Sequence, residues 1–430
     1  MPYRLLLTGI ALAMLCSSAA AQEPQNVSEW AWGHRLELRA DYRWSDEERH
    51  PTLFPPGGPG LTTVDPGHNF ELNVADVQFD LGYGEVFAAR AKMHAQALHR
   101  RNPTSTDRQI DADELYVRFG RKPEFLERPD GTTFFVQAGK FPKMERQPVR
   151  LLESYGLAAT SFNRFEDVQL LVGGTVGRNF YWRVQAANGN PLFMRDSNAL
   201  AGDNGTADRF NGETPEFGSG FPILYNAETE DLFFNTENVQ IGEALGYRWQ
   251  REDETLGFDA ILFHYRRDLA DTVELTGTRY GGDLDLLDAR DAGGGRLATD
   301  GRTKEELGVR LYGEWHNLTA IAQFTAQSIA GLERDGWEVE LGYRIPLTLG
   351  VVQSIQPAVR VSGIDNHFGG PGAVFPAPSL WWDWRKFDAG VRVGLTRGVD
   401  VALEYTFHDI VTPRLPLNEQ EALVTVRWRV

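Results

Sequence analysis

Residues 36–44 read LELRADYRW, and here every second residue is apolar while every residue between is charged. Leu36, Leu38, Ala40, Tyr42 and Trp44 alternate with Glu37, Arg39, Asp41 and Arg43. A side-chain period of two belongs to a β-strand with two unlike faces. In a soluble sheet the apolar face packs on a core and the charged face meets bulk water. In a closed membrane sheet the apolar face meets lipid and the charged face lines a wet interior. One strand cannot decide between the two; the rest of the chain can.

The alternation recurs in sixteen segments of the length that a membrane-crossing strand needs. After 36–44 they are 70–83, 87–98, 111–120, 133–140, 167–176, 180–188, 239–249 and 256–266. The second half gives 306–315, 318–328, 337–345, 355–363, 387–395, 401–409 and 422–430. Segment 256–266 alternates poorly, and a slip of phase near Ala75 predicts a bulge. Pro357 is the one proline inside these segments. Helical periodicity is weak throughout.

The connections sort by side. Short ones follow residues 83, 176, 249, 315 and 395, and longer ones at 121–132 and 346–354 share their side. The opposite side carries 45–69, 99–110, 141–166, 189–238, 267–305, 364–386 and 410–421, with a shorter loop near 330–336. Aromatic residues gather at segment ends, among them Trp44, Phe70, Tyr83, Phe119, Phe134, Phe180, Trp315 and Trp428. An even strand number, short turns on one side, long loops on the other and aromatic ends define an outer-membrane β-barrel. Closure is required, because an open sheet edge in lipid leaves backbone groups unpaired at several kcal/mol each. The expected fold is all-β: a transmembrane antiparallel β-barrel of about 16 strands spanning 22–430, with short periplasmic turns and long extracellular loops.

The N-terminus fits this compartment. Arg4, the apolar run LLLTGIALAML (5–15) and Ala19-x-Ala21 before Gln22 form a secretory signal peptide over 1–21. The eleven-residue run is too short to span a bilayer about 30 Å thick. Cys16, the single cysteine, leaves with the signal, so no disulfide or thiolate metal site is expected. A net charge of −17 argues against nucleic acid as a partner. A mean hydropathy of −0.37 suits a barrel whose strands are half polar. The Asp-rich segments 202–212 and 283–295 lack the spacing of a calcium loop and read as solvated loop. His264, His316 and His408 stand near no nucleophile motif, so no enzyme, metal or cofactor is expected.

Sixteen strands leave an aqueous channel, which makes conduction the expected function. The connection 141–166 follows the fifth strand and carries Lys143, Arg146, Arg150 and Arg164, with Lys140 at its base, against Glu145, Glu153 and Glu166. Its middle, VRLLESYGLAATSF, is apolar enough to lie on an inner wall, so it is the expected pore constriction. Alternation turns Arg39, Arg43, Arg90, Lys92, Arg118, Arg344, Arg360 and Arg392 inward, and with them Arg183, Arg310, Arg427 and Arg429. The same rule brings in Glu37, Asp41, Glu71, Glu306, Glu314, Glu338, Glu340 and Glu404. A strip of arginines can pass anions by replacing part of their hydration with charge-assisted hydrogen bonds.

Four blocks carry a family resemblance: DADELYVRFG (111–120), FFVQAGKFP (134–142), NRFEDVQLLVGG (163–174) and VQAANGNP (184–191). Over about residues 110–192 the chain resembles the phosphate-selective porin O and P family. The resemblance implies a sixteen-stranded trimeric porin whose third loop folds inward, with Lys140, Lys143, Arg146 and Arg150 facing the anion. It also implies outer-membrane lipid and lipopolysaccharide around the barrel, the barrel-assembly machinery as a folding partner, and small hydrophilic solutes, anions such as phosphate, as cargo. A second, weaker resemblance is to alginate-export barrels, which share LELRADYRW-like first strands and an arginine-lined pore but have more strands. It implies export of an anionic polysaccharide.

Overall fold

The computed structural model describes residues 30–46, 67–95, 110–162, 166–189, 239–268, 303–329, 331–367, 383–411 and 416–430. The first half of the chain forms β1 (Trp30–Ser45), β2 (Gly67–Tyr83), β3 (Phe87–Ala95), β4 (Ile110–Gly120), β5 (Phe134–Pro142), β6 (Glu166–Val176), β7 (Phe180–Ala187), β8 (Gln240–Gln250) and β9 (Leu256–Asp268). The second forms β10 (Thr303–Trp315), β11 (Leu318–Ile329), β12 (Leu332–Tyr343), β13 (Ile345–Leu349), β14 (Val352–Asn366), β15 (Asp383–Leu395), β16 (Val399–Val411) and β17 (Pro416–Arg429). A short helix, α1 (Leu157–Ser161), lies between β5 and β6. Each strand pairs antiparallel with its neighbours, and β1 pairs with both β2 and β17, which closes the sheet.

Seventeen strands fill sixteen positions around the barrel. Both β12 and β13 pair with β14, with Arg344 between them. Pro357 explains the break. Pairing of β12 with β14 stops at Gly342 opposite Ala358, and β13 resumes at Ile345 opposite Ile355. Pro357 stands in the gap and has no N–H to give a ladder. Two expectations are corrected here. Residues 346–349 are strand rather than connection, and the turn is Gly350–Val351, with Gly350 at a φ of 61°. Arg344 is an exposed residue at the break rather than part of the wall.

The interior and exterior are inverted relative to a soluble protein. On β10, Lys304, Glu306 and Arg310 are buried while Leu307 and Leu311 are exposed. On β16, Glu404, Thr406 and His408 are buried while Leu403 and Tyr405 are exposed. Among the described residues no helix is long and apolar enough to cross a membrane; crossing is by strands. Rings join around the short-turn end: Trp30 to Tyr83 and Phe87, Phe87 to Phe119, Phe134 to Trp182, and Phe180 to Tyr247, at 5.1–6.4 Å between centroids. Such a girdle sits where lipid meets water.

Two bulges re-aim side chains. Between β1 and β2 the register jumps from Val74 to Leu72, close to the slip of phase expected near Ala75. Between β3 and β4 it jumps from Glu114 to Ala112, so Asp113 is the extra residue. The second bulge lets two residues adjacent in sequence meet interior cations: Glu114 bonds Arg90 and Asp113 bonds Lys92.

The lipid-facing surface gives a depth-dependent prediction. Leu262, mid-strand on β9 and 54% exposed, should cost about 2–4 kcal/mol when changed to arginine. Leu349, at a strand end, should cost at most about 1 kcal/mol for the same change. Reversible unfolding by denaturant in lipid vesicles measures both; equal costs would contradict the placement of the bilayer.

Candidate channel lumen and inward loop

The connection between β5 and β6 turns into the barrel and is laid on the wall by its own backbone. A segment without ladder partners must satisfy its N–H and C=O groups elsewhere. Wall carboxylates take the N–H groups: Glu340 accepts from Leu151 and Leu152, and Glu404 from Glu153 and Ser154. Wall cations take the carbonyls: Arg183 donates to Met144, Arg310 to Arg146, Arg392 to Arg150, Arg360 to Ser154 and Lys386 to Tyr155. The contacts begin on β7 and β10 at Met144 and Arg146 and then, over 150–155, fall on β12, β14, β15 and β16.

Apolar loop residues add packing on the wall. Met144 clusters with Tyr181, Phe263 and Tyr265, and Leu151 and Leu152 with Ala358. Phe162 lies against Gly336, where an added Cβ would stand 2.1 Å from its ring. Arg334 covers the same ring at 4.7 Å.

Glu153 is the hub. Its carboxylate meets Arg39 at 3.2 Å, Arg427 at 2.9 Å and Arg392 at 2.5 Å, from β1, β17 and β15. It therefore pins the loop across the seam where β1 and β17 close the barrel. Burial pushes its pKa up, but the guanidinium groups of Arg39, Arg150, Arg392 and Arg427 outweigh burial and hold it well below the usual carboxylate range.

The basic residues expected at the constriction are largely engaged. Lys140 is buried and bonds Asp111 at 2.8 Å. Lys143 is buried over the Tyr265 ring at 5.7 Å. Arg146 pairs with Glu166, and Arg150 donates to the Glu153 carbonyl and stacks on Tyr155 at 4.2 Å. Arg164 lies outside the described residues, as does the signal peptide.

The wall residues divide into two groups. Arg39, Arg43, Arg360 and Arg392 are held in ion pairs with Asp41, Glu421, Asp388 and Glu153; the first three are covered by protein and Arg392 is partly so. Arg90 and Lys92 are also paired, with Asp80 and Glu114 and with Asp76 and Asp113, yet keep 33% and 23% exposure. Arg118 is half-buried with no carboxylate in ion-pair reach. The loop thus lies on wall residues of β7, β10, β12, β14–β17 and β1, and half-exposed cations stand on β3 and β4, where Arg90, Lys92 and Arg118 lie. The inward arginines Arg39, Arg43 and Arg360 therefore stand paired with inward acids rather than as an open strip. Alternation fixes which face a side chain takes, not which acid stands opposite it.

Asp76, His94 and Asp113 bring three possible metal-donor atoms within 4.8 Å of one another. The Lys92 ammonium already sits on both carboxylates, at 2.8 and 2.6 Å, and supplies the cation there.

The sequence reading missed a second inward segment, 121–132, entering from the short-turn side. Leu126 is buried with Tyr312 and Ile321, and Phe125 meets the Tyr312 ring edge-on at 4.8 Å. Arg248 donates to the Glu124 and Glu127 carbonyls and Arg128 to that of Gln250. Two signals were present: the adjacent apolar pair Phe125-Leu126 in a supposed surface turn, and a length beyond its short neighbours.

No protein-family model and no curated protein matches the chain. Solved structures do. The chain is similar to Pseudomonas putida OprB in its high-pH structure, at 10% identity and a TM-score of 0.54, covering 93% of this chain and 94% of that one. It is similar to the outer membrane channel DcaP of Acinetobacter baumannii at 8% identity and 0.53, covering 94% and 99%. It is also similar to Salmonella typhi OmpF, solved in complex with daunomycin, at 10% identity and 0.50, covering 93% and 97%. At such identities the likeness is one of fold.

Replacing Glu153 by glutamine should loosen the loop and destabilise the barrel by roughly 3–5 kcal/mol, the cost of breaking a buried ion pair from one side. Because the folded pKa is depressed, the native stabilisation is fully present above the ordinary glutamate value of about 4.3 and is lost as pH falls below it. Denaturant unfolding at pH 7 and at low pH checks both; an unchanged midpoint at pH 7 would remove the hub role.

Proposed function

We propose that the protein is an outer-membrane porin: a water-filled channel for passive diffusion of small hydrophilic solutes, with a preference for anions such as phosphate. It spans the outer membrane of a Gram-negative bacterium. The observation that carries the reading is the polar, charged interior of a closed sixteen-position barrel, across which one connection is bound from β5 to the β1–β17 seam. In this reading loop 141–166 is the constriction, and Lys140, Lys143, Arg146, Arg150 and Arg164, with the wall cations Arg90, Lys92 and Arg118, set the field a solute meets. Arg39, Arg360 and Arg392 contribute by holding the loop, Arg43 by its pair with Glu421 across the β1–β17 seam, and Arg344 stands exposed at the break between β12 and β13. The similarity to a structure described as an outer membrane channel supports a conducting role. The reading includes a homotrimer in lipid and lipopolysaccharide, inserted by the barrel-assembly machinery, and no enzymatic activity. Export of an anionic polysaccharide has no specific observation in its favour.

Purified protein added to a planar lipid bilayer should give stepwise, ohmic conductance. In a salt gradient the reversal potential should take the sign of anion preference. Absence of steps would overturn the channel; a cation-selective potential would overturn the anion preference.

A further inference from the structure

Most interior cations have a carboxylate partner, and four near one mouth do not. Among the described residues, Arg118, Lys122, Arg183 and Arg248 have no carboxylate within ion-pair distance. Arg118 lies two residues from the end of β4 and Arg248 two from the end of β8. Arg183 lies three residues from the start of β7, and Lys122 opens the inward segment 121–132. All four therefore belong to the short-turn mouth, where β4, β5, β7 and β8 stand nearly side by side.

Aromatic rings, amides and carbonyls hold them in place of acids. Arg183 and Arg248 both lie over Tyr181, at 5.1 and 4.4 Å from its centroid. Lys122 lies over Phe135 at 5.7 Å and reaches the Gln137 amide oxygen at 3.4 Å. Those rings rest on glycines: the Phe135 ring would stand 2.8 Å from a Cβ on Gly173, and the Tyr181 ring 2.0 Å from one on Gly246. The wall is thus hollowed to floor the cluster with rings. Three of the nearby acids are engaged elsewhere: Glu114 accepts from Arg90, Glu127 from Arg121, and Asp259 from Arg310 and the Tyr181 hydroxyl; Glu124 lies near Lys122 but outside ion-pair distance.

Gathering like charges in a partly desolvated place is unfavourable by itself. Burial, then the neighbouring Arg183 and Arg118, push the Lys122 ammonium down to about 7 against weaker support from Glu124 and Glu114. The Nε atoms of Arg118 and Arg248 are buried without a hydrogen-bond partner. Unmet donors of this kind ask for an acceptor. A bound oxyanion supplies both the charge and the acceptor atoms that the cluster lacks, and guanidinium groups match oxyanion geometry in particular.

We propose that Arg118, Lys122, Arg183 and Arg248 form an anion-binding site at the short-turn mouth, taking a small dianionic oxyanion from the solute stream. The site rests on the channel reading and adds where in the lumen the anion is held. It uses none of the basic residues of loop 141–166, although Arg183 also donates to the Met144 carbonyl of that loop, and it is built partly from segment 121–132.

Sulfate is the probe, because it stays doubly charged across the working pH range. In bilayers, sulfate should block chloride current through the native protein in a saturable way, and chloride preference should fall as pH rises through about 7, where Lys122 loses its proton. The double variant Lys122→Gln/Arg183→Gln should lower the chloride-to-potassium permeability ratio about threefold or more and abolish saturable block. Arg183→Lys should restore part of both. Heat-shifted gel mobility confirms that each variant is folded, and Arg118→Gln serves as a second variant if the double change does not fold. Folded variants that keep native block and selectivity overturn the site while leaving the channel intact. A native protein that gives no conductance steps overturns both.

Discussion

The controlling constraint is that no backbone polar group can go unpaired where water is absent. In lipid this forces the ladder to close, and here it closes through β1 on β17, from Glu37 opposite Arg429 to Ser45 opposite Glu421. Inside the barrel the same constraint acts on the inward loop, which has few ladder bonds of its own. The loop therefore needs donors and acceptors from the wall, and the wall offers charged ones. The alternation that puts apolar residues on lipid is the same alternation that supplies those groups.

This changes what the interior charges are for. A lumen arginine reads naturally as a residue for solutes. Arg39, Arg360 and Arg392 instead hold a loop, and Glu153, Asp388 and Glu404 hold it with them. Removing both members of such a pair would leave the loop's carbonyls and amides buried and unmet, so the charges cannot be exchanged for apolar residues without losing the loop's position. What remains to act on a solute is the half-exposed set on β3 and β4 and at the short-turn mouth.

The fold was legible because its signal repeats. Each strand carries a period of two, and the segments read from the sequence fall on observed strands with ends differing by up to about six residues, except that 337–345 crosses the break at Arg344. What failed to show was local or relational. The split of β12 from β13 depends on Pro357 of β14 falling where the ladder between Gly342–Ala358 and Ile345–Ile355 is interrupted, and strand order relates those positions only once the barrel is built. The Asp113 bulge is hidden because Asp113 and Glu114 are both acidic and read as one polar step. The partners of the interior arginines come from adjacent strands and from a loop distant in sequence, which periodicity does not encode. Segment 121–132 was passed over because length placed it among turns, although Phe125 and Leu126 are poor residues for one.

The two inward segments are not independent. Arg310 on β10 donates to the Arg146 carbonyl of loop 141–166 at 2.8 Å, pairs with Asp259, and lies over the Phe125 ring of segment 121–132 at 5.6 Å. Asp259 in turn accepts from Tyr181, whose ring carries Arg183 and Arg248. One guanidinium therefore touches the segment from each mouth and, through one carboxylate, the ring under the cation cluster. A shift of either segment must change the partners of Arg310 and, through Asp259, the footing of that cluster. The narrowing of the lumen from the long-loop side and the charge presented at the short-turn side are thus set by one connected group of side chains, which follows from the need to satisfy buried donors rather than from proximity along the chain.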